Sequence, residues 1–172
     1  MELEHTTDGT LIPSHIRLME TEDIEALVSL SLLAWEPVFH SFEAVLGAGI
    51  YQVIYPDWRK SQREAVESVL RDQEKFTSWV AEVDEHPVGF VAYQLDHQTF
   101  TGEVYMLAVH PNYQNRGIGT KLNQVALNQM RAAGMKLVEV GTGGDPGHAP
   151  ARRSYEKAGY TPLPLVRYYQ NL

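Results

Sequence analysis

Gln114-Asn115-Arg116-Gly117-Ile118-Gly119 places two glycines at the junction between an apolar run and a helical pattern. Ahead of it, Val104 to Val109 reads as a buried strand, broken by His110-Pro111-Asn112. Behind it, Ile118, Leu122, Val125, Ala126, Met130 and Ala133 recur at steps of three and four, the stripe of a packed helix. Gly134 stands where a left-handed residue ends such a helix. Strand, glycine turn and helix together form a site for phosphate. The glycines let the backbone approach a ligand, and the helix start aims unpaired N–H groups and the positive end of its dipole at an anion. Two common versions are excluded. No Gly-Lys-Ser/Thr ending follows Gly117, so this is not a Walker loop, and Leu122 stands where the dinucleotide fingerprint needs its third glycine.

The pattern Gln114-x-x-Gly117-x-Gly119 resembles the pyrophosphate loop of the GNAT superfamily of acyl-CoA-dependent N-acyltransferases. A second block, Ala149-Pro-Ala-Arg-Arg-Ser-Tyr-Glu-Lys-Ala-Gly-Tyr160, is similar to the family's A-x-x-x-Y-E-K-x-G-F/Y segment, in the family's order and spacing. The resemblance implies a mixed α/β fold, with a mostly antiparallel central sheet of six to seven strands flanked by helices. It also implies a V-shaped split between the two central parallel strands. Acetyl-CoA would lie in that split, its pantetheine paired with backbone groups of Leu107, Ala108 and Val109. Its pyrophosphate would sit on the N–H groups of Arg116, Gly117, Ile118, Gly119 and Thr120, with Gln114, Asn115 and Arg116 beside it. His148 stands where many members carry an asparagine that contacts the pantetheine, and Ala151 belongs to the same contact. Arg152 and Arg153 could reach the 3′-phosphate or simply decorate an exposed helix.

Acyl transfer from a thioester to an amine needs the amine deprotonated, an oxyanion stabilised and a thiolate protonated as it leaves. The resemblance implies Tyr155 as the acid for the thiolate and the Leu107 N–H as the oxyanion donor. Spacing alone puts Tyr155 on one helical face with Ala151 and Ala158, which equally suits a packed aromatic. Glu103 matches the glutamate base of the histone-acetylating branch. A half-buried carboxylate could have its pKa raised for that task, or Glu103 could be a solvated strand-end residue. His148 could hydrogen-bond the pantetheine, carry a proton near neutral pH, or be a loop residue without a role.

The elements that must hold these groups are legible in outline. Ile16 to Met19 is a strand candidate, and Thr21 caps a helix reaching Trp35, where Pro37 is expected to break it. Residues 38–72 read as helices covering one side of the sheet: Phe39, Phe42, Val45 and Leu46 on one face, a stop near Gly47, then an Asp57-capped helix with Ala65, Val66, Val69 and Leu70 inward. In this family the segment roofs the acceptor side. Trp35, Phe39, Tyr51, Tyr55 and Trp58, with Glu36, Glu43 and Asp57, are therefore candidate acceptor contacts, though the aromatics equally suit a core. Thr77–Val83 and Val88–Leu95 form a hairpin about Asp84–Pro87, with Gly89 at a bend or a close packing point. Strand 103–109, its helix and strand Leu137–Gly141 form a β-α-β unit with parallel outer strands. Ala149–Ala158 is a short helix, and Leu163–Tyr169 a last strand through which copies could dimerise.

At 172 residues the chain is expected to be one domain, with residues 1–13 a loose arm. There is no cysteine, so disulfides and a thiol acyl-enzyme are excluded. A net charge of −8 argues against a nucleic-acid partner and suits a cationic amine. The other histidines show no metal-ligand spacing, so no metal is expected. The N-terminus lacks the basic start and apolar core of a signal peptide, and no apolar run approaches a membrane span, so a cytoplasmic location is expected. The two functional readings are an acetyl-CoA-dependent N-acetyltransferase acting in a ternary complex on a small-molecule or protein amine, and an acyl-CoA-binding regulatory domain without turnover.

Overall fold

The computed structural model describes residues 13–172; the loose arm expected over 1–13 lies, Pro13 apart, outside the described residues. One sheet holds five strands in chain order: β1 (His15–Leu18), β2 (Thr77–Val83), β3 (His86–Asp96), β4 (Thr101–Val109) and β5 (Leu137–Val140). Pairing is antiparallel from β1 through β4, and β5 adds parallel to β4. Helices α1 (Ile24–Ile54) and α2 (Trp58–Arg71) cover one face through Leu27, Val28, Val66 and Leu70, which pack on Phe90 and Ala92. The other face takes α3 (Ile118–Ala132), whose Ile118, Leu122, Ala126 and Met130 bury against Val91, Val104 and Val109. Helix α4 (Ala149–Lys157) follows β5.

The architecture agrees with the expected mixed sheet, but the strand count does not. Leu163–Tyr169 forms no strand, and residues 161–172 are exposed. Pro162 and Pro164 remove two donors at its start, and the edge it would join, β5, is only four residues long. Helix α1 also departs from expectation by running through Pro37. Proline frees the carbonyl four residues back, on Leu33, but Leu33 lies on the exposed side where water can satisfy it. Buried Leu30 and Ser31 before the proline, and Val38 and Phe39 after it, hold the helix together. The break falls at Gly47 instead, where φ is 74°. Asp57 caps α2 as expected, accepting from Lys60 N at 3.1 Å, but Ala65 is exposed rather than inward. The hairpin turn is tighter than expected: Val83 pairs with His86, leaving Asp84 and Glu85 at φ 50° and 64°.

Gly89 is a close packing point. A Cβ there would lie 2.9 Å from the Ala108 carbonyl oxygen of β4 and 3.2 Å from Leu122 of α3. Gly89→Ala should therefore force the β3–β4–α3 contact apart and cost about 1–3 kcal/mol, read as a lower urea midpoint with unchanged m-value.

Arg17 of β1 ties the N-terminal elements together. Its guanidinium donates two hydrogen bonds to Asp23 at 2.7 and 2.8 Å and reaches Glu82 of β2 at 2.5 Å. Those bonds hold both carboxyls below their ordinary values of 3.8 and 4.5, against the opposing effect of burial. Since both folded-state values are depressed, their contribution is complete above the ordinary values and is lost as pH falls below them. Arg17→Met should cost on the order of 1–3 kcal/mol at neutral pH, because buried Asp23 loses its partner. The variant's stability should also fall less steeply on acidification than the wild type's, which urea melts at neutral and acid pH would read.

Candidate active site

The split follows from strand pairing. β5 pairs with β4 only from Thr101 to Val104, while β4 runs on to Val109 paired with β3 alone. At that point β4 bulges: Tyr93 faces Val104 and Ala92 faces Met106, so Tyr105 is an extra residue. Beyond the bulge, the edge of β4 that carries Leu107, Ala108 and Val109 has no strand partner among the described residues. This is the V-shaped opening expected between the two parallel strands.

The open edge leads into the glycine loop. Gln114 folds back to donate from Nε2 to the Val109 carbonyl at 2.9 Å, so its amide fastens the loop to the end of β4. Asn115 and Gly117 take left-handed φ values of 60° and 81°, and Arg116 lies over the Tyr113 ring at 5.9 Å. Gly117 caps α3 without a side-chain hydrogen bond, leaving the first-turn N–H groups of Ile118, Gly119 and Thr120 without a side-chain acceptor. Ile118, 1% exposed, anchors this turn in the core. A Cβ on Gly119 would meet only ordinary contacts, Val109 at 3.6 Å and Leu107 at 3.7 Å. The protein itself has no steric need for glycine at 119.

Tyr155 is half-buried on α4, edge-on to Tyr160 with centroids 5.5 Å apart. Burial, with a smaller contribution from Tyr160, pushes its phenol up to about 12. It therefore stays protonated at neutral pH, as a proton donor must. The Tyr160 hydroxyl donates to buried Asn123 Oδ1 of α3 at 3.2 Å, so Tyr155 is braced on α3 through its neighbour.

Glu103 lies on β4 before the bulge, in a row with Gln94 of β3 and Glu139 of β5. Gln94 Nε2 donates to Glu103 Oε2, and both line a groove of about 420 Å³ with Asp96, Thr99 and Thr101. Glu103 is four positions before Leu107, roughly 13 Å along an extended strand.

His148 and Ala151 stand at the start of α4, both half-buried. The imidazole is paired with Asp145, a residue the sequence reading missed, although an acidic side chain three positions before a histidine was its visible signal. Arg152 is occupied by the carbonyls of Gly143 and Asp145 at 2.6 and 2.8 Å and so holds the loop, while Arg153 is exposed. Among the acceptor-side candidates, Phe39, Tyr51 and Trp58 are core, with Phe39 stacked on Trp58 at 4.3 Å. Trp35 and Tyr55 pack against that cluster, Glu36 pairs with Arg59, Asp57 caps α2 and Glu43 is exposed. Among the described residues, no group of three or more His, Asp or Glu side chains is placed to hold a metal ion, and no helix is long and apolar enough to cross a membrane.

Residues 47–160, two-thirds of the chain, match the Acetyltransferase (GNAT) family. The chain belongs to that family. Mycothiol acetyltransferase from Beutenbergia cavernae is 42% identical over 69 residues, which make up 40% of this chain. The match spans only 23% of that relative's length. A GNAT-family structure from Desulfovibrio desulfuricans superposes with a TM-score of 0.68 at 22% identity, over 90% of this chain and 89% of the other. PaiA N-acetyltransferase from Thermoplasma acidophilum, in complex with coenzyme A, gives 0.67 at 18% identity, over 87% and 91%. At such identities these likenesses show the fold.

Proposed function

We propose that this chain transfers an acetyl group from acetyl-CoA to a primary amine by direct attack in a ternary complex. The observation that carries it is the continuity between the unpaired edge of β4 beyond Val104 and the uncapped N-terminus of α3. An extended pantetheine can pair with the first while its pyrophosphate meets the second. Gly119 supports the fit, since no protein contact demands a glycine there and a ligand approaching the backbone does.

In this reading the thioester lies beside the bulge, with the Leu107 N–H directed at its carbonyl oxygen. The acceptor, arriving as an ammonium, first gives up one proton to a base. Its nitrogen attacks the carbonyl carbon, forming C–N, and the charge on oxygen is held by Leu107. Collapse breaks C–S. Tyr155 gives its proton to the leaving thiolate and recovers one from the nitrogen, so amide, CoA thiol and one released proton balance the reaction. Glu103, which matches the glutamate base of the histone-acetylating branch, is tied to Gln94 and sits well down the strand, a position suited to attracting a cationic acceptor. The net charge of −8 also supports such an acceptor, a small-molecule or a peptide amine. A cytoplasmic location, catalysis by residues 1–172 as one domain, and the absence of a nucleic-acid partner belong to the same proposal. So does a homodimer, which the exposed Leu163, Leu165, Val166 and Tyr168 support.

Initial velocities of thiol release, with acetyl-CoA and amine both varied, test this. Intersecting lines support direct attack, and parallel lines would indicate an acyl-enzyme. Tight acetyl-CoA binding with no thiol release for any amine would favour the second reading, a regulatory acyl-CoA sensor.

A further inference from the structure

Asp145 and His148 lie in the loop that joins the end of β5 to α4, and this loop packs on α1. The loop thus leaves the sheet at the end of β5, the strand that parts from β4, and packs on α1, part of the helical segment expected to roof the acceptor side. His148 Nδ1 lies 2.5 Å from Asp145 Oδ1, and the Asp145 side chain is only 8% exposed. Its other oxygen accepts from Gly147 N at 2.9 Å, and the same N–H also reaches the Ser41 hydroxyl oxygen of α1 at 2.9 Å. Burial alone would raise the Asp145 carboxyl. Hydrogen bonding to the carboxylate outweighs it and holds the group below the usual carboxylate range.

Two glycines make this arrangement possible. A Cβ on Gly143 would overlap the Asp145 carboxylate and come within 2.5 Å of His148 Nδ1. One on Gly147 would press into Ser41 and Val38 at 2.7 and 3.0 Å. Arg152 fastens the loop carbonyls, and the Phe42 ring sits 5.5 Å from the imidazole. The imidazole is therefore held in one place and one orientation by groups from the loop, α1 and α4.

The tautomer follows from the partners. An ionised carboxylate can only accept, so in the neutral ring Nδ1 carries the proton and Nε2 keeps a lone pair. Imidazole is the side chain suited to exchanging a proton near neutral pH, and a carboxylate behind it stabilises the imidazolium that forms. Glu103 lacks this arrangement. We propose that His148 is the general base that takes the first proton from the acceptor ammonium at Nε2, with Asp145 as its positioning residue. The proposal rests on the N-acetyltransferase reading. In the step itself, the N–H bond of the ammonium breaks, its electron pair stays on nitrogen to attack the thioester, and the proton passes to His148 and then to water.

The test compares wild type, His148→Gln, His148→Ala, Asp145→Asn and Glu103→Gln, reading acetylated amine formed and acetyl-CoA affinity by titration. Gln offers an amide near the Nε2 position but cannot take a proton. His148→Gln should lose about 10²-fold in kcat with acetyl-CoA affinity within threefold of wild type. His148→Ala should regain product formation when imidazole is added, and Asp145→Asn should lose at least about tenfold in kcat, because an amide can turn the tautomer over. Retention of kcat within threefold in His148→Gln would overturn the proposal. So would a loss that appears only as weaker acetyl-CoA binding, failure of imidazole to restore His148→Ala, or a larger kcat loss in Glu103→Gln. Absence of product from the wild type with every amine overturns the N-acetyltransferase reading itself, and the base assignment with it.

Discussion

Replacing Tyr155 by phenylalanine should lower kcat by about 10²-fold or more while leaving acetyl-CoA affinity within a few fold. The substitution removes one hydroxyl and keeps the ring that packs edge-on against Tyr160. Folding should therefore survive, and thermal unfolding of the variant checks that it does. The size of the effect is that of losing a general acid, and burial pushes the Tyr155 phenol up to about 12. Below that pH the group is protonated, so the wild type always has the proton that a departing thiolate needs. Rising pH should therefore not remove activity through Tyr155 until the solution nears the phenol's raised value, whereas the phenylalanine variant lacks the donor at every pH. If Tyr155 only packed the α3–α4 junction, the variant would keep its kcat and lose a little stability.

Gly117 and Gly119 should respond differently to the same change, and the contrast separates fold from ligand. At Gly117, φ of 81° is a conformation that a β-branched residue strongly resists. Gly117→Val should cost on the order of 1–3 kcal/mol of stability and also weaken acetyl-CoA binding at least tenfold, because the α3 N-terminus is re-aimed. Gly119 has no such strain, and a Cβ there meets nothing closer than 3.6 Å. Gly119→Val should leave the urea midpoint nearly unchanged yet weaken acetyl-CoA comparably, since the side chain occupies the space through which a pyrophosphate reaches the backbone. Titration of acetyl-CoA beside urea melts reads both. Equal affinity in wild type and Gly119→Val would remove the α3 N-terminus from the donor site.

What the sequence made legible was local. β-type composition and turn residues marked β2 and β3, the three-and-four spacing marked α3, and Gly134 was read as a left-handed helix stop, which its φ of 81° bears out. The β-α-β unit made β4 and β5 legible as parallel neighbours, whereas the split between them came from the family resemblance. Other features depended on partners far along the chain. Pro37 breaks a helix by its own chemistry, but the buried residues on both sides of it overrule that preference. Gln114 looked like a phosphate donor until the folded loop turned its amide to Val109. The Asp145–His148 pair drew no notice in a glycine-rich loop, since its rigidity comes from Ser41, more than a hundred residues earlier. The tail after Tyr160 has strand-like composition, yet two prolines and a short edge leave it unpaired.

The most direct test of the central claim mixes the protein with isotopically labelled acetyl-CoA and a panel of polyamines, amino acids, aminoglycosides and peptides, then follows both products by mass. Label should appear as an amide on at least one amine, in amounts equal to the free CoA thiol. Recovery of intact acetyl-CoA from every mixture, at protein concentrations where it demonstrably binds, would contradict the assignment.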